Sequence, residues 1–158
     1  MYKKTFPWTK MLSVLLSISI LSNIGLVFLH ISTIKSYEME DFKTELINTI
    51  SASDNSVKIL SFYKNQLKLE TISQNDYAEQ LKELSDIHAT MISLLQEKNY
   101  KDLENTKQKT ISFLNERKKI FDNLKSAIDL DSSNYYNIAA TSEKTANELL
   151  DELNILLQ

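Results

Sequence analysis

The scarcity of glycine and proline constrains this chain more than any other feature of its sequence. Each residue type occurs once, as Gly25 and Pro7. Residues 26–158 therefore contain neither of the residues on which tight hairpin turns depend. Long helices tolerate such a composition, whereas a hairpin-rich sheet does not. The sequence predicts an all-α fold.

An uncharged apolar segment runs from Met11 to Ile34 and contains 24 residues. A helix of that length spans about 36 Å, which is enough to cross the hydrocarbon core of a bilayer with some tilt. Lysines precede the segment and acidic residues follow it, so the positive-inside rule places residues 1–10 in the cytoplasm. We expect a short basic tail at 1–10, a transmembrane signal-anchor helix at 11–34, and an extracytoplasmic domain at 36–158, in a single-pass protein of the plasma membrane.

A cleaved signal peptide is the main alternative interpretation of the same segment, and a buried core helix is a third. Two features favour the anchor: the apolar run is longer than that of a signal peptide, and its end lacks a small-x-small cleavage site. Within the segment, Ser19, Ser22 and Gly25 recur at three-residue spacing and indicate a face on which a second helix can approach closely. The stripe fits a homodimer or a membrane partner, unless these small residues are simply tolerated in a single span.

Helical periodicity continues beyond the apolar segment and predicts helices near 36–69, 74–98, 101–128 and 132–157. Short polar turns between helices of this length require antiparallel neighbours, so we expect an up-down-up-down four-helix bundle with coiled-coil-like packing. Asp76 and Glu79 predict a capping box at the start of the second of these helices. The predicted interior stripes are Tyr77, Leu81, Leu84, His88, Met91 and Leu95; Thr110, Leu114, Arg117, Phe121, Leu124 and Ile128; and Tyr135, Ala139, Ser142, Ala146, Leu149, Leu153 and Leu156.

The stretch SASDNS at Ser51–Ser56 is the least regular part of the first outer helix. It is consistent either with a loop that divides the helix or with small residues at a close helix contact. No Gly or Pro interrupts the stretch, so we predict a continuous helix.

Two groups of residues are candidates for interaction with other molecules. Leu150, Ile155 and Leu157 fall outside the predicted seam of the last helix, which suggests contact with lipid headgroups, a second subunit or the membrane span of a partner; wide bundle packing with a frayed end is the alternative. Tyr135 and Tyr136 are predicted to mark a recognition tip at the distal end of the bundle, or else to cap the core there.

The charge distribution argues against nucleic acid as a partner. Residues 1–35 contain four lysines and no acidic residue, so 14 basic and 21 acidic residues remain beyond them, a net charge of −7. Such a domain binds nucleic acid and anionic lipid poorly. Arg117, Lys118 and Lys119, with Lys125 nearby, form the one basic concentration and are predicted to be a solvated surface with some burial of their stems. A docking site for an anionic ligand is the alternative.

The residue inventory also restricts the available chemistry. The chain has no cysteine and only two histidines, His30 and His88. A di-iron bundle needs two Glu-x-x-His motifs, and Ser85 stands three residues before His88, so that class is excluded. We therefore predict no catalytic residues, metal or cofactor, and a non-enzymatic protein. His88 is expected to be a hydrogen-bonded core or boundary residue rather than a catalyst. A separate hypothesis is that a partly buried His88 makes the packing sensitive to mild acid.

One span followed by an antiparallel bundle resembles the sensor half of four-helix-bundle chemoreceptors and histidine kinases. The likeness is architectural, covers about residues 11–158, and implies a membrane-tethered ligand-binding module without a signalling domain of its own. The residues themselves favour a different expectation, in which the bundle binds a partner protein. This makes the chain an accessory or assembly subunit of a bacterial cell envelope, with the lipid bilayer and a protein partner or a second copy as its contacts.

Overall fold

The computed structural model describes the backbone of residues 8–98 and 101–158 and the side chains of residues 38–98 and 102–158. The described residues form four α-helices and no strand, so the all-α prediction is confirmed for them. The helices are α1 (Trp8–Lys68), α2 (Gln74–Glu97), α3 (Glu104–Asp129) and α4 (Ser133–Leu156), and one 3₁₀ turn (Lys101–Leu103) precedes α3.

Helix α1 continues without a break through Ser51–Ser56, as predicted. The reason lies in which of these residues face the interior. Ser53 and Ser56 are buried, whereas Ala52 is exposed. Two serines thus continue the interior stripe that Phe42, Leu46 and Ile50 begin. A buried serine is tolerated there because its hydroxyl can donate to a carbonyl oxygen of its own helix or bond to a neighbouring helix.

Residues 41–158 form one compact unit, in which consecutive helices run antiparallel. Between α1 and α2, Glu45 pairs with Lys98 and Ser53 forms a hydrogen bond with His88. Residues later in α1 therefore contact residues earlier in α2, as antiparallel helices require. The same reversal relates α2 to α3 and α3 to α4. The contacts are Lys98 to Lys107 and Ser85 to Asp122, and Lys109 to Glu152 and Arg117 to Asn147.

Two apolar clusters make the core of this unit. The first cluster lies at the end of the bundle where the unit begins, near residue 41. Its largest buried members are Phe42, Leu46, Leu95, Phe113, Leu114 and Leu153. The second lies at the opposite end and contains Tyr77, Leu81, Leu84 and Phe121, with Leu60, Leu67 and Leu124 packed against it. The predicted interior stripe of α2 is confirmed, with Met91 only partly buried.

Two turns between helices use a left-handed residue that is not glycine. Glu70 has φ 56° and Asp131 has φ 47°. After each helix the backbone closes with the six-to-one hydrogen bond of a Schellman motif, from Thr71 to Gln66 and from Ser132 to Ala127. A chain this poor in glycine thus ends its helices at some conformational cost.

The capping box predicted at Asp76 and Glu79 is wrong by one turn. Helix α2 is capped by Ser73, whose hydroxyl accepts from the Asp76 backbone N–H at 3.1 Å, while the Asp76 carboxylate accepts from the Ser73 backbone N–H at 3.0 Å. Ser73 holds the N-cap because it is the residue with extended backbone before the first helical turn.

The described side chains include no helical stretch that is both long enough and apolar enough to cross a bilayer. The side chains of the predicted span at 11–34 lie outside the described residues.

Candidate functional site

A layer of polar side chains separates the two apolar clusters of the bundle. We call it the polar layer, and its members come from all four helices: Ser53, Asp54, Ser85, His88, Arg117, Asp122 and Asn147. Ser53, Ser85, His88 and Arg117 are buried. Buried polar groups require internal partners, so the hydrogen bonds of this layer fix how the helices align.

His88 is the centre of the polar layer and is fully buried. Its Nδ1–H donates to the Leu84 carbonyl oxygen at 2.8 Å, because a carbonyl can only accept. Nε2 of the neutral ring therefore accepts from the Ser53 hydroxyl, also at 2.8 Å. The ring lies 5.0 Å from that of Phe121. The structure confirms His88 as a hydrogen-bonded core residue.

Arg117 is 4% exposed, which corrects its assignment to a solvated basic surface. One terminal nitrogen donates to Asp54 at 3.3 Å and to Asn147 at 3.2 Å, and the guanidinium lies over the Phe113 ring at 5.2 Å. The cluster of basic residues did not predict exposure correctly, because Arg117 also belongs to the interior stripe of α3. Its position on that stripe places it inside the bundle although it is charged. Lys119 does remain exposed, with an ion pair to Glu116.

Arg117 is nevertheless incompletely partnered. Its Nε is buried and has no hydrogen-bond partner. An unpartnered buried donor on a cation costs stability unless another group reaches it. Among the described side chains, this nitrogen is a buried donor without an acceptor.

A cavity of about 460 Å³ lies between α1, α3 and α4, with Arg117 among its lining residues. Its wall is mostly apolar, with Leu60, Phe121 and Leu124 among the lining residues. Lys64, Lys68 and Glu143 supply the other charged side chains of the lining. Tyr77 closes part of the wall, and burial raises the pKa of its hydroxyl to about 12, which keeps the hydroxyl protonated as a donor. We call this space the interhelical cavity.

A second depression lies between α1 and α4, at the end of the bundle where α4 finishes. It has a volume of about 530 Å³ and is lined by Ile47, Ile50, Leu150 and Leu157, together with Ser51, Asp54, Asn154 and Gln158. We call it the terminal groove. Leu150 and Leu157 are partly buried and pack against the first cluster, whereas Ile155 stays 74% exposed. Of the three predicted interaction residues on α4, two thus line the groove and the third is exposed at the same end.

The two predicted tyrosines have different environments at the other end of α4. Tyr135 is partly buried, and Tyr136 is 51% exposed and lines the interhelical cavity. Of the remaining predicted sites, Ser19, Ser22 and Gly25 have side chains outside the described residues. Among the side chains that are described, no three His, Cys, Asp or Glu residues are grouped in a way that could hold a metal ion.

Ser53, Asp54, Ser85 and Asn147 were not among the sequence-based candidates. Ser53 could have been found from its spacing, because it continues the stripe of Phe42, Leu46 and Ile50. No comparable signal marks Asp54 or Asn147. They flank the interior stripes of α1 and α4, and both contact Arg117.

The chain matches no protein-family model, no curated protein and no solved structure.

Proposed function

We propose that this chain is a non-enzymatic, single-pass membrane protein whose extracytoplasmic bundle binds a partner protein through the terminal groove. It acts as an accessory or assembly subunit in the plasma membrane of a bacterium. The observation that carries the proposal is the exposed apolar surface at the end of the bundle where α4 finishes, with Ile155 of α4 74% exposed and Ile47 of α1 42% exposed. Apolar surface of this kind beside a groove is typical of protein interaction sites.

The position of the groove supports a partner that is itself in the membrane. Ile47, which lines the groove, follows Ile34, the last residue of the apolar segment, by 13 positions. A partner anchored in the same bilayer needs only a short extramembrane segment to reach a site this close in the chain to the proposed span.

The chemistry of the groove specifies that helix. Leu150, Leu157 and Ile47 offer an apolar floor, and Asp54 adds a carboxylate to the lining. Asp151, an exposed acidic residue, follows the groove residue Leu150 on α4. The complementary occupant is an amphipathic helix with an apolar stripe flanked by Lys or Arg, which is the helix-in-groove mode of recognition.

The first experiment is mild extraction of the tagged full chain from its native host, followed by mass spectrometry of the proteins that co-purify. It is carried out in parallel with the variant Ile155→Glu, because a carboxylate at this exposed position disrupts an apolar contact without entering the core. We expect a stoichiometric membrane protein with the wild-type chain and at least about fivefold less of it with Ile155→Glu.

Ile87→Glu is the matched control, since Ile87 is 46% exposed on α2, away from the groove. Partner recovery should match wild type in this variant. Recovery of the wild-type chain alone or only as a homodimer, or an equal loss of partner in both variants, would contradict the proposal.

A further inference from the structure

We infer that the outer face of α1 docks a second copy of this chain, so that two α1 helices form a parallel pair related by a twofold axis. We call this face the outer seam. Its residues are Thr44, Asn48, Ser51, Asn55, Ile59, Phe62 and Gln66. The inference goes beyond the proposed function, because Ile59 and Phe62 are not part of the terminal groove. The parallel direction rests on the proposed topology, in which both copies are anchored in one membrane.

The first argument is where the outer seam lies. Successive residues of the seam are 4, 3, 4, 4, 3 and 4 positions apart, which is the spacing of one helix face. The buried residues Phe42, Leu46 and Ser53 each precede a seam residue by two positions, or about 200° around the helix. No residue of the seam is buried, although Ser51 also borders the terminal groove. The outer seam therefore faces away from the core of the bundle.

The second argument is the apolar surface on the seam. Ile59 is 45% and Phe62 is 57% exposed, and residues three positions apart are neighbours on a helix surface. The Phe62 ring packs edge to face against Tyr63, with 5.5 Å between the ring centroids, which fixes its orientation. Exposed Leu69 follows Phe62 by seven positions, just beyond the end of α1. Apolar and aromatic side chains that share one exposed face are typical of interaction surfaces.

The third argument is charge, which identifies the occupant. The outer seam contains no charged residue, whereas the chain beyond residue 35 has a net charge of −7. A basic partner would be attracted by acidic residues, which the seam lacks. A second copy carries the same negative charge, so it can approach closely only where an uncharged face meets an uncharged face. Lys58 flanks the seam, where its Nζ donates to Asn55 Oδ1 at 3.2 Å.

The polar residues of the seam favour the same occupant. In a parallel twofold pair, each residue near the axis lies opposite its own copy. Threonine, serine, asparagine and glutamine each carry both a donor and an acceptor, so two copies of one residue can bond to each other. Two carboxylates or two ammonium groups cannot do so. Asn48 and Asn55 are seven positions apart, and an asparagine on such a seam fixes the register and the number of helices in a parallel coiled coil.

The test uses the absence of cysteine from the chain. Thr44→Cys and Asn55→Cys each place one thiol on the outer seam, 11 positions apart. Membranes of the native host that contain the full-length variant are oxidised with copper phenanthroline, because anchoring in one membrane raises the local concentration of the copies. Disulfide-linked dimers are then measured on non-reducing gels. We expect at least about fivefold more dimer at both positions than with Lys144→Cys, an exposed control on α4.

A second pair of variants tests the apolar contact. Phe62→Glu, added to Asn55→Cys, places two like charges opposite each other and should lower the yield of dimer at least about fivefold. Leu94→Glu is the matched control, because Leu94 is 53% exposed on α2. In this control the yield should stay at the level of Asn55→Cys alone.

Each other outcome overturns the inference. Yields on the seam that do not exceed that of Lys144→Cys exclude the pair. Dimer at only one of the two positions excludes the parallel register, because an antiparallel pair brings at most one of them to its axis. Equal yields with Phe62→Glu and Leu94→Glu exclude the apolar contact. If Phe62→Glu does not fold, the three cysteine variants still decide the question. Recovery of a partner protein is a separate readout, so failure of the outer seam and failure of the terminal groove are distinguishable.

Discussion

At the scale of single residues, His88 links packing to proton binding. Burial lowers its pKa below the ordinary value of 6.5, its bond to the Leu84 carbonyl opposes that change, and Arg117 and Lys118 lower the pKa further. The neutral ring accepts from Ser53 through Nε2, and protonation would remove that acceptor. The folded state therefore binds a proton less readily than the unfolded chain does.

The sign of the pH dependence follows from this difference. Stabilisation by neutral His88 is complete above pH 6.5 and is lost as the pH falls toward the lowered folded-state pKa. We expect the free energy of unfolding to fall between pH 7 and 5, with a slope of up to about 1.4 kcal/mol per pH unit from this one group. The variant His88→Leu should lose most of that slope in thermal melts followed by circular dichroism.

Two carboxyl groups with lowered pKa values contribute outside this window. The Ser73 hydroxyl and backbone lower the pKa of Asp76 below 3.8, and hydrogen bonds from Gln108 and Lys107 lower the pKa of Glu104 below 4.5. The contributions of these two groups are lost only at more acid pH. An identical pH profile in wild type and His88→Leu would refute the role of His88.

At the scale of elements, the helix starts differ in how well their backbone donors are satisfied. Ser73 forms a reciprocal capping box with Asp76 at the start of α2. Ser132 occupies the same position before α4 but makes no side-chain capping bond. The same residue type therefore has different energetic roles at two equivalent positions, because only one hydroxyl is oriented toward its helix.

This pair provides a matched test of capping. Ser73→Ala should lower the free energy of unfolding by about 1 kcal/mol, since it leaves a backbone donor of α2 without its partner. Ser132→Ala should change it by less than about 0.5 kcal/mol. Chemical denaturation curves of the two variants compare them directly, and equal losses would show that the capping geometry of α2 contributes nothing of its own.

At the scale of the whole molecule, the proposed membrane topology makes a prediction of its own. The chain has no cysteine, so a single introduced thiol reports its own accessibility. On cells whose plasma membrane is intact and whose wall or outer membrane has been removed, a membrane-impermeant maleimide should label Lys144→Cys. The native Lys144 side chain is 80% exposed. It should label Lys4→Cys only after lysis, because the positive-inside rule places residues 1–10 in the cytoplasm. Labelling of residue 4 on intact cells, or of residue 144 only after lysis, would contradict the topology.

The sequence was a good guide to the helices and a poorer guide to the side chains between them. Periodicity located the four helices and the interior stripe of α2, because a helix must bury one face and the 3.6-residue repeat records which face that is. It did not locate the capping box, since Ser73 and Asp76 can each begin a helix and only the backbone geometry distinguishes them. It also predicted Leu156 as part of the seam of α4, and this residue is 42% exposed in the last turn of the helix.

The candidate sites divide in the same way. Ile155 and its neighbours were found from the sequence, because apolar residues on more than one face of a helix are visible in its periodicity. Whether that surface binds a partner stays a prediction. The interhelical cavity was not foreseen, because its lining combines residues from α1 and α4 that are about 80 positions apart in the chain.

The sequence by itself determined that this chain is helical, where its helices turn and which stripes face inward, since these properties depend on local composition and short-range periodicity. Only the tertiary structure decided that Arg117 is buried rather than solvated and that its Nε lacks a partner. It also decided that Ser53 and His88 share a hydrogen bond across two helices. The physical reason is that burial and pairing depend on the rotation and register of neighbouring helices, and these are set by the packing of all four together.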